Sequence, residues 1–160
     1  MITVRPGSRG DAVAVSDIWN REIREGVSTF NSIEKSRAEV EDLIEAAGDT
    51  FLVAFEEDTL LGFVTYGQFR GGVGYAHSME HTIHLAGVAR GKGVGRLLME
   101  RIEEVAGKKN VHSLIAGIAG ENEAGVAFHA ALGFVYVARV PEVGRKFGRW
   151  MDLILMQKIL

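Results

Sequence analysis

The stretch VARGKGVGRLLMERI, Val88 to Ile102, decides the reading of this chain. Its second half carries Val94, Leu97, Leu98 and Ile102, with Val105 beyond. That spacing predicts an amphipathic helix from Val94 to Ala106. Its first half is basic and dense in glycine. Helix starts leave unpaired backbone N–H groups pointing outward, so such a junction suits an anion. The nucleotide P-loop does not fit, because Gly91-Lys92 is followed by Gly93 and the earlier glycine is missing. The dinucleotide fingerprint fails at its third glycine, where Arg96 or Leu98 stands. What fits is Arg-x-x-Gly-x-Gly: Arg90, Gly93 and Gly95. Glycines let the backbone approach a ligand closely, the N–H groups of Val94, Gly95 and Arg96 open the helix, and Arg90, Lys92 and Arg96 add charge. A pyrophosphate suits this cradle.

Outward from the loop, the chain reads as alternating elements. Ile2 to Arg5 is a strand, Asp11 caps a helix through Ile18, Trp19 and Ile23, and Glu34 to Ala47 is a second helix ended by Gly48. Phe51 to Phe55 and Leu60 to Tyr66 form a hairpin around Glu56-Glu57-Asp58. Arg70 to Gly74 is a loop and His77 to Leu85 is extended. Val111 to Ile118 is a strand, Asn122 to Leu132 a helix, and Phe134 to Val140 and Trp150 to Met156 are strands. This order predicts one α/β domain over residues 1–160, with helices on both faces of the sheet.

Composition narrows the function. The chain has 160 residues, no cysteine and a formal charge of −3. Disulfides, thiolate zinc sites and a cysteine nucleophile are excluded, and a broad nucleic-acid footprint is not expected. The start, MITVRPGSRGDAVAV, lacks an apolar leader core, and no run is long enough to span a membrane. A soluble, cytoplasmic protein is expected. His77, His81 and His84 give poor three-point ligation on a strand, and no metal is expected. No G-x-S-x-G elbow anchors a serine hydrolase.

Arg-x-x-Gly-x-Gly between a strand and an amphipathic helix resembles the acetyl-CoA pyrophosphate site of the GNAT superfamily of acetyltransferases. Asn122, with His129 and Leu132-Gly133-Phe134 after it, resembles the superfamily's second cofactor element, which flanks the pantetheine arm. Glu80-His81-Thr82-Ile83 and the segment PEVGRKFGRWMD, Pro141 to Asp152, resemble the phosphinothricin and methionine sulfoximine N-acetyltransferases. The likeness covers nearly the whole chain. It implies a GNAT-type mixed, mostly antiparallel sheet, acetyl-CoA as cosubstrate, a small amine acceptor, direct transfer in a ternary complex and a homodimer.

Acetyl transfer from a thioester needs a neutral amine, a polarised carbonyl and a leaving thiolate. Glu80 is the expected general base, on a strand where Ser78, Glu80, Thr82 and His84 alternate with the apolar set. The resemblance implies that the backbone of Ile83, His84 and Leu85 polarises the thioester. The cofactor loop is Arg90, Gly91, Lys92, Gly93, Val94, Gly95 and Arg96. His129 stands where many relatives have tyrosine, and either donates a proton to the thiolate or lines the pantetheine channel. Arg70 aligns with a family arginine near the acceptor carboxylate. Phe-Arg, frequent in related sequences, is Tyr75-Ala76 here, so one carboxylate partner is missing. Phe30, with Thr29, and Lys146 are expected near the acceptor. Two other functions fit the same features: a non-catalytic acyl-CoA sensor, which has no use for Glu80, and an acetyltransferase for protein N-termini or other amines.

Overall fold

The computed structural model describes residues 1–160. In chain order the elements are β1 (Ile2–Pro6), α1 (Ala12–Glu25), α2 (Arg37–Ala47), β2 (Phe51–Glu56), β3 (Thr59–Gln68), β4 (Ser78–Leu85), α3 (Val94–Lys108), β5 (Ser113–Ala119), α4 (Glu123–Ala131), β6 (Val135–Lys146) and β7 (Arg149–Ile159). The strands are ordered β1-β2-β3-β4-β5-β7-β6. The pairs β1–β2, β2–β3, β5–β7 and β6–β7 are antiparallel, while β4–β5 is parallel. This is the α/β architecture that the element order predicts, with the mixed, mostly antiparallel sheet that the GNAT resemblance implies. No helix is long and apolar enough to cross a membrane.

Contacts gather the chain into two compact units. One comprises Met1–Asn20, Lys35–Tyr66 and His81–Asn110. Its core joins Ala12 and Val15 of α1 and Val40 and Ile44 of α2 to Phe51, Val53, Leu60 and Phe63. The Phe51 and Phe63 rings stack at 5.4 Å, and Trp19 tilts onto Phe63 at 4.9 Å. Each fully buried phenylalanine contributes about 1.5–3 kcal/mol. Leu52 and Ala54, on the other face of β2, are buried too, which explains its unbroken apolar run. Helix α3 contacts β2 and buries Leu98, Met99, Ile102 and Ala106.

The helix starts differ from the sequence reading. Asp11 is not the cap of the first helix. A short 3-10 turn over Arg9–Asp11 precedes α1, and the Asp11 carboxylate reaches back to the Ser8 N–H at 2.8 Å. Helix α2 starts three residues late, because Ser36 is its N-cap and accepts from the Glu39 N–H.

The other unit comprises Arg21–Glu34, Gly67–Glu80 and Val111–Leu160. Its register fixes which side chains share a face. Glu80 pairs with Ile115, Gly117 with Leu155, Gly144 with Met151 and Lys146 with Arg149. Side chains alternate along a strand, so Glu80, Gly117, Gly144 and Lys146 all lie on one face. Helix α4 covers the opposite face, where the Gly125 Cα lies against the Ile118 side chain.

β6 is much longer than the expected Phe134 to Val140. Pro141 has no N–H to give a ladder, which ends the sequence signal there. The chain instead bulges: Val140 pairs with Leu153 and Gly144 with Met151, so residues 141–143 stand against Asp152 alone. The Asp152 carboxylate closes the bulge, accepting from the Glu142 N–H at 2.8 Å and from Arg139 Nε at 2.7 Å. Those same bonds hold its pKa down. The strand then turns at Phe147 and Gly148, whose φ values of +54° and +72° fit a two-residue hairpin loop.

Candidate active site

The glycine loop lies in the first unit. Gly91 and Gly93 adopt φ of +77° and +74°. L side chains rarely enter that region, and a Cβ on either residue would meet nothing within 4 Å. The space in front of the loop is therefore open. Gly93 is the N-cap of α3, so no side chain caps the N–H groups of the first turn. These donors and the helix dipole suit a pyrophosphate. Arg90 and Arg96 are exposed beside them, while Val94 and Gly95 are buried. Lys92 is already engaged, with Nζ 2.6 Å from the Glu56 carboxylate at the β2–β3 turn. An exposed pair of this kind contributes about 0–1 kcal/mol and yields readily to a stronger anion.

Ile83, His84 and Leu85 end β4 in the same unit. His84 is buried against the rings of Phe63 (5.7 Å) and Trp19 (6.3 Å). Gly62 of β3 keeps this strand end close, since a Cβ there would stand 2.8 Å from the His84 carbonyl oxygen.

The acceptor-side residues lie in the second unit. Glu80 is the last rung of the parallel ladder between β4 and β5. It remains accessible to solvent, yet desolvation raises its pKa above the ordinary carboxylate range. Both hold for a carboxylate that lies with one oxygen over the bare Gly117 Cα and its remainder open to water. An uncompensated carboxylate held there is a stronger base than one in water.

Lys146 is not placed to bind substrate directly. Its Nζ is buried and donates to the carbonyl oxygens of Gly26 (2.6 Å), Thr29 (2.7 Å) and Glu22 (3.4 Å). Two residues back, the Phe30 ring rests on Gly144, where a Cβ would fall 2.4 Å from it. The two β6 positions thus clamp residues 26–30 onto the sheet face that carries Glu80. The sequence singled out Phe30 and Lys146 but not this link, because Gly144 lies beyond the bulge, where no strand was expected.

Arg70 sits in the exposed loop after β3, its guanidinium 5.3 Å from the centre of the Tyr75 ring. Gln68 Nε2 shapes the loop, donating to the carbonyls of Arg70 (2.7 Å) and Gly72 (2.8 Å). Tyr75 thus supports the arginine that remains.

Asn122 is the N-cap of α4, its side chain accepting from the Gly125 N–H at 3.0 Å. His129 lies on this helix, which covers the face opposite Glu80. Its Nδ1 is 2.8 Å from the Gly125 carbonyl oxygen. A carbonyl only accepts, so Nδ1 carries the proton and a neutral ring presents Nε2 as an acceptor. Burial lowers the His129 pKa, outweighing the opposite pull of Gly125. A ring in this state has no Nε2 proton to give a thiolate.

A family model described as an acetyltransferase (GNAT) domain matches residues 8–155. The L-methionine sulfoximine/L-methionine sulfone acetyltransferase of Salmonella typhimurium is 31% identical over 98% of this chain and 93% of its own. The solved structure of a ribosomal-protein-alanine N-acetyltransferase from Brucella melitensis is 35% identical, with a TM-score of 0.94 over 99% of both chains. That of a phosphinothricin acetyltransferase from Sinorhizobium meliloti in complex with acetyl-CoA is 28% identical, with a TM-score of 0.92 over 99% of this chain and 88% of that one. With the glycine loop, the mixed sheet and the family match in agreement, the chain belongs to the GNAT family of acetyltransferases.

Proposed function

We propose that this protein transfers acetyl from acetyl-CoA to the primary amine of a small amino-acid-like substrate of the methionine sulfoximine or phosphinothricin type, with residues 1–160 acting as one domain. The observation that carries the reading is Glu80, a carboxylate whose pKa is raised by desolvation, at the last parallel rung of a strand that leads, ten residues on, to the glycine loop. An acyl-CoA sensor has no use for such a group. The substrate class is supported by two relatives named for those amino-acid analogues.

In this reading the loop at Arg90 to Arg96 binds the pyrophosphate through α3's first-turn N–H groups, with Arg90 and Arg96 adding charge. The backbone of Ile83 to Leu85 donates to the thioester oxygen as negative charge develops there. Glu80 takes the proton from the acceptor ammonium, directly or through water, and frees the lone pair that attacks the thioester carbon; the C–N bond forms, the C–S bond breaks and CoA leaves as the thiolate, to be protonated from solvent. Arg70 faces the acceptor carboxylate, and the clamped segment with Phe30 shields the amine. His129 and Asn122 line the pantetheine path.

A homodimer is part of the same proposal. β6 is an edge strand that exposes Val135, Tyr136, Val137 and Val143, and its hairpin exposes Phe147 and Trp150. Unpaired apolar edges are a liability unless covered.

A second reading rests on the Brucella relative, named for a ribosomal-protein alanine acceptor. Mass spectrometry separates the two. The purified protein is incubated with acetyl-CoA and either L-methionine sulfoximine, L-methionine sulfone, phosphinothricin, common amino acids or peptides with N-terminal alanine. N-acetylated amino-acid analogue as the dominant product supports the proposal. Acetylated peptide alone transfers the site to protein N-termini. No product with any acceptor overturns the enzymatic reading.

A further inference from the structure

The seat of the Glu80 carboxylate is built by a residue with no side chain. Gly117 follows Ile115 by two positions on β5, so it lies on the same face as Glu80's rung and one step further along. A Cβ at Gly117 would stand 2.6 Å from Glu80 Oε2 and 3.8 Å from its carboxyl carbon. The other neighbour, Leu153 Cδ1, is at an ordinary 3.5 Å. The crowding is therefore specific to the carboxylate. Gly117 is not among the residues with positive φ, so its backbone is one that alanine adopts freely. The glycine is not required by the turn of the chain. It is required by what lies on top of it.

We propose that Gly117 is a positioning residue for Glu80: its bare Cα leaves the space that the carboxylate occupies, and a single methyl group there displaces the base. The inference rests on the reading of Glu80 as general base. Real Cβ contacts essentially never fall under 3.0 Å, so Oε2, now at 2.6 Å from that point, must retreat by at least 0.4 Å. The retreat needs only side-chain rotation, so the fold is spared and the proton transfer is not. A base held outside its productive geometry by about half an ångström loses much of its effect, and a 1 Å error costs about a hundredfold.

The test compares wild type, Gly117→Ala, Glu80→Gln and the double variant, using the acceptor with the highest turnover in the panel above. Thermal melting and acetyl-CoA affinity are measured on each. The expected result is a kcat at least tenfold lower for Gly117→Ala, with melting temperature and acetyl-CoA affinity unchanged. In the Glu80→Gln background the same methyl group changes kcat by less than twofold, because the side chain it displaces no longer acts as a base. Wild-type kcat in Gly117→Ala overturns the inference and leaves the reading of Glu80 intact. So does a loss of equal size in both backgrounds, which marks a general effect on packing. Wild-type turnover in Glu80→Gln removes the base itself, and this inference with it. Should Gly117→Ala melt early, the comparison between backgrounds still separates the two roles, since a packing loss appears in both.

Discussion

Glu80 combines two properties that normally oppose each other: it reaches solvent and it is desolvated. The sign of the consequence is fixed. A carboxyl whose folded-state pKa lies above its unfolded value favours the folded state only when protonated. That contribution fades as pH rises through the folded pKa. Glu80 is therefore expected to cost stability at neutral pH, where its ionised form is the one the proposed base role needs. Glu80→Gln is expected to melt at least as high as wild type at pH 7, and the difference is expected to vanish near pH 4. The wild-type kcat/KM profile is expected to have its acid limb above the ordinary carboxylate pKa of about 4.3. Calorimetry and a pH–rate series check the two halves. His129 is the contrast, neutral at pH 7, with its proton committed to Gly125.

At the scale of elements, two features carry the account, and they differ in how visible they are in the sequence. The loop before α3 was legible because its chemistry is local: glycine φ, helix start and charge all lie within one stretch. Gly93→Val is expected to abolish acetyl-CoA binding by calorimetry while far-UV circular dichroism keeps its helical signal. The strain falls on φ +74° and not on neighbours, since nothing lies within 4 Å of the added Cβ. The β6–β7 hairpin was legible only as a family motif. Its physical logic is long-range: Lys146 reaches carbonyls 117 to 124 residues away in sequence, and Phe30 rests on Gly144. No spacing rule announces such partners, and Pro141 hid the strand itself. Glu80 stood out as an acid on a strand, whereas Gly117 beneath it read as one more residue of β5. Lys146→Met is expected to leave the Gly26 and Thr29 carbonyls unsatisfied, lowering stability by about 1–3 kcal/mol in urea titration. The same variant raises the acceptor KM more than the acetyl-CoA KM, because it frees the segment that holds Phe30.

At the scale of the molecule, the order of secondary structure foretold an α/β domain, the family resemblance implied the mixed, mostly antiparallel sheet, and the family model spans both compact units, from residue 8 to residue 155. Binding to the folded state alone raises stability by mass action, about 2.7 kcal/mol at a hundred times Kd. Acetyl-CoA is therefore expected to raise the melting temperature, and L-methionine sulfoximine to raise it further only when a CoA ligand is present. Light scattering is expected to give twice the 17.4 kDa chain mass. A charged substitution at Val137 on the exposed β6 edge is expected to halve the measured mass. The measurement that bears most directly on the central claim is thiol release from acetyl-CoA, compared between wild type and Glu80→Gln with L-methionine sulfoximine as acceptor. With no cysteine in the chain, the protein adds no thiol background. The account predicts acceptor-dependent release by wild type and a rate about 10²–10⁴-fold lower in the variant, with acetyl-CoA affinity unchanged. Equal rates in the two proteins, or release that does not depend on the acceptor, would contradict it.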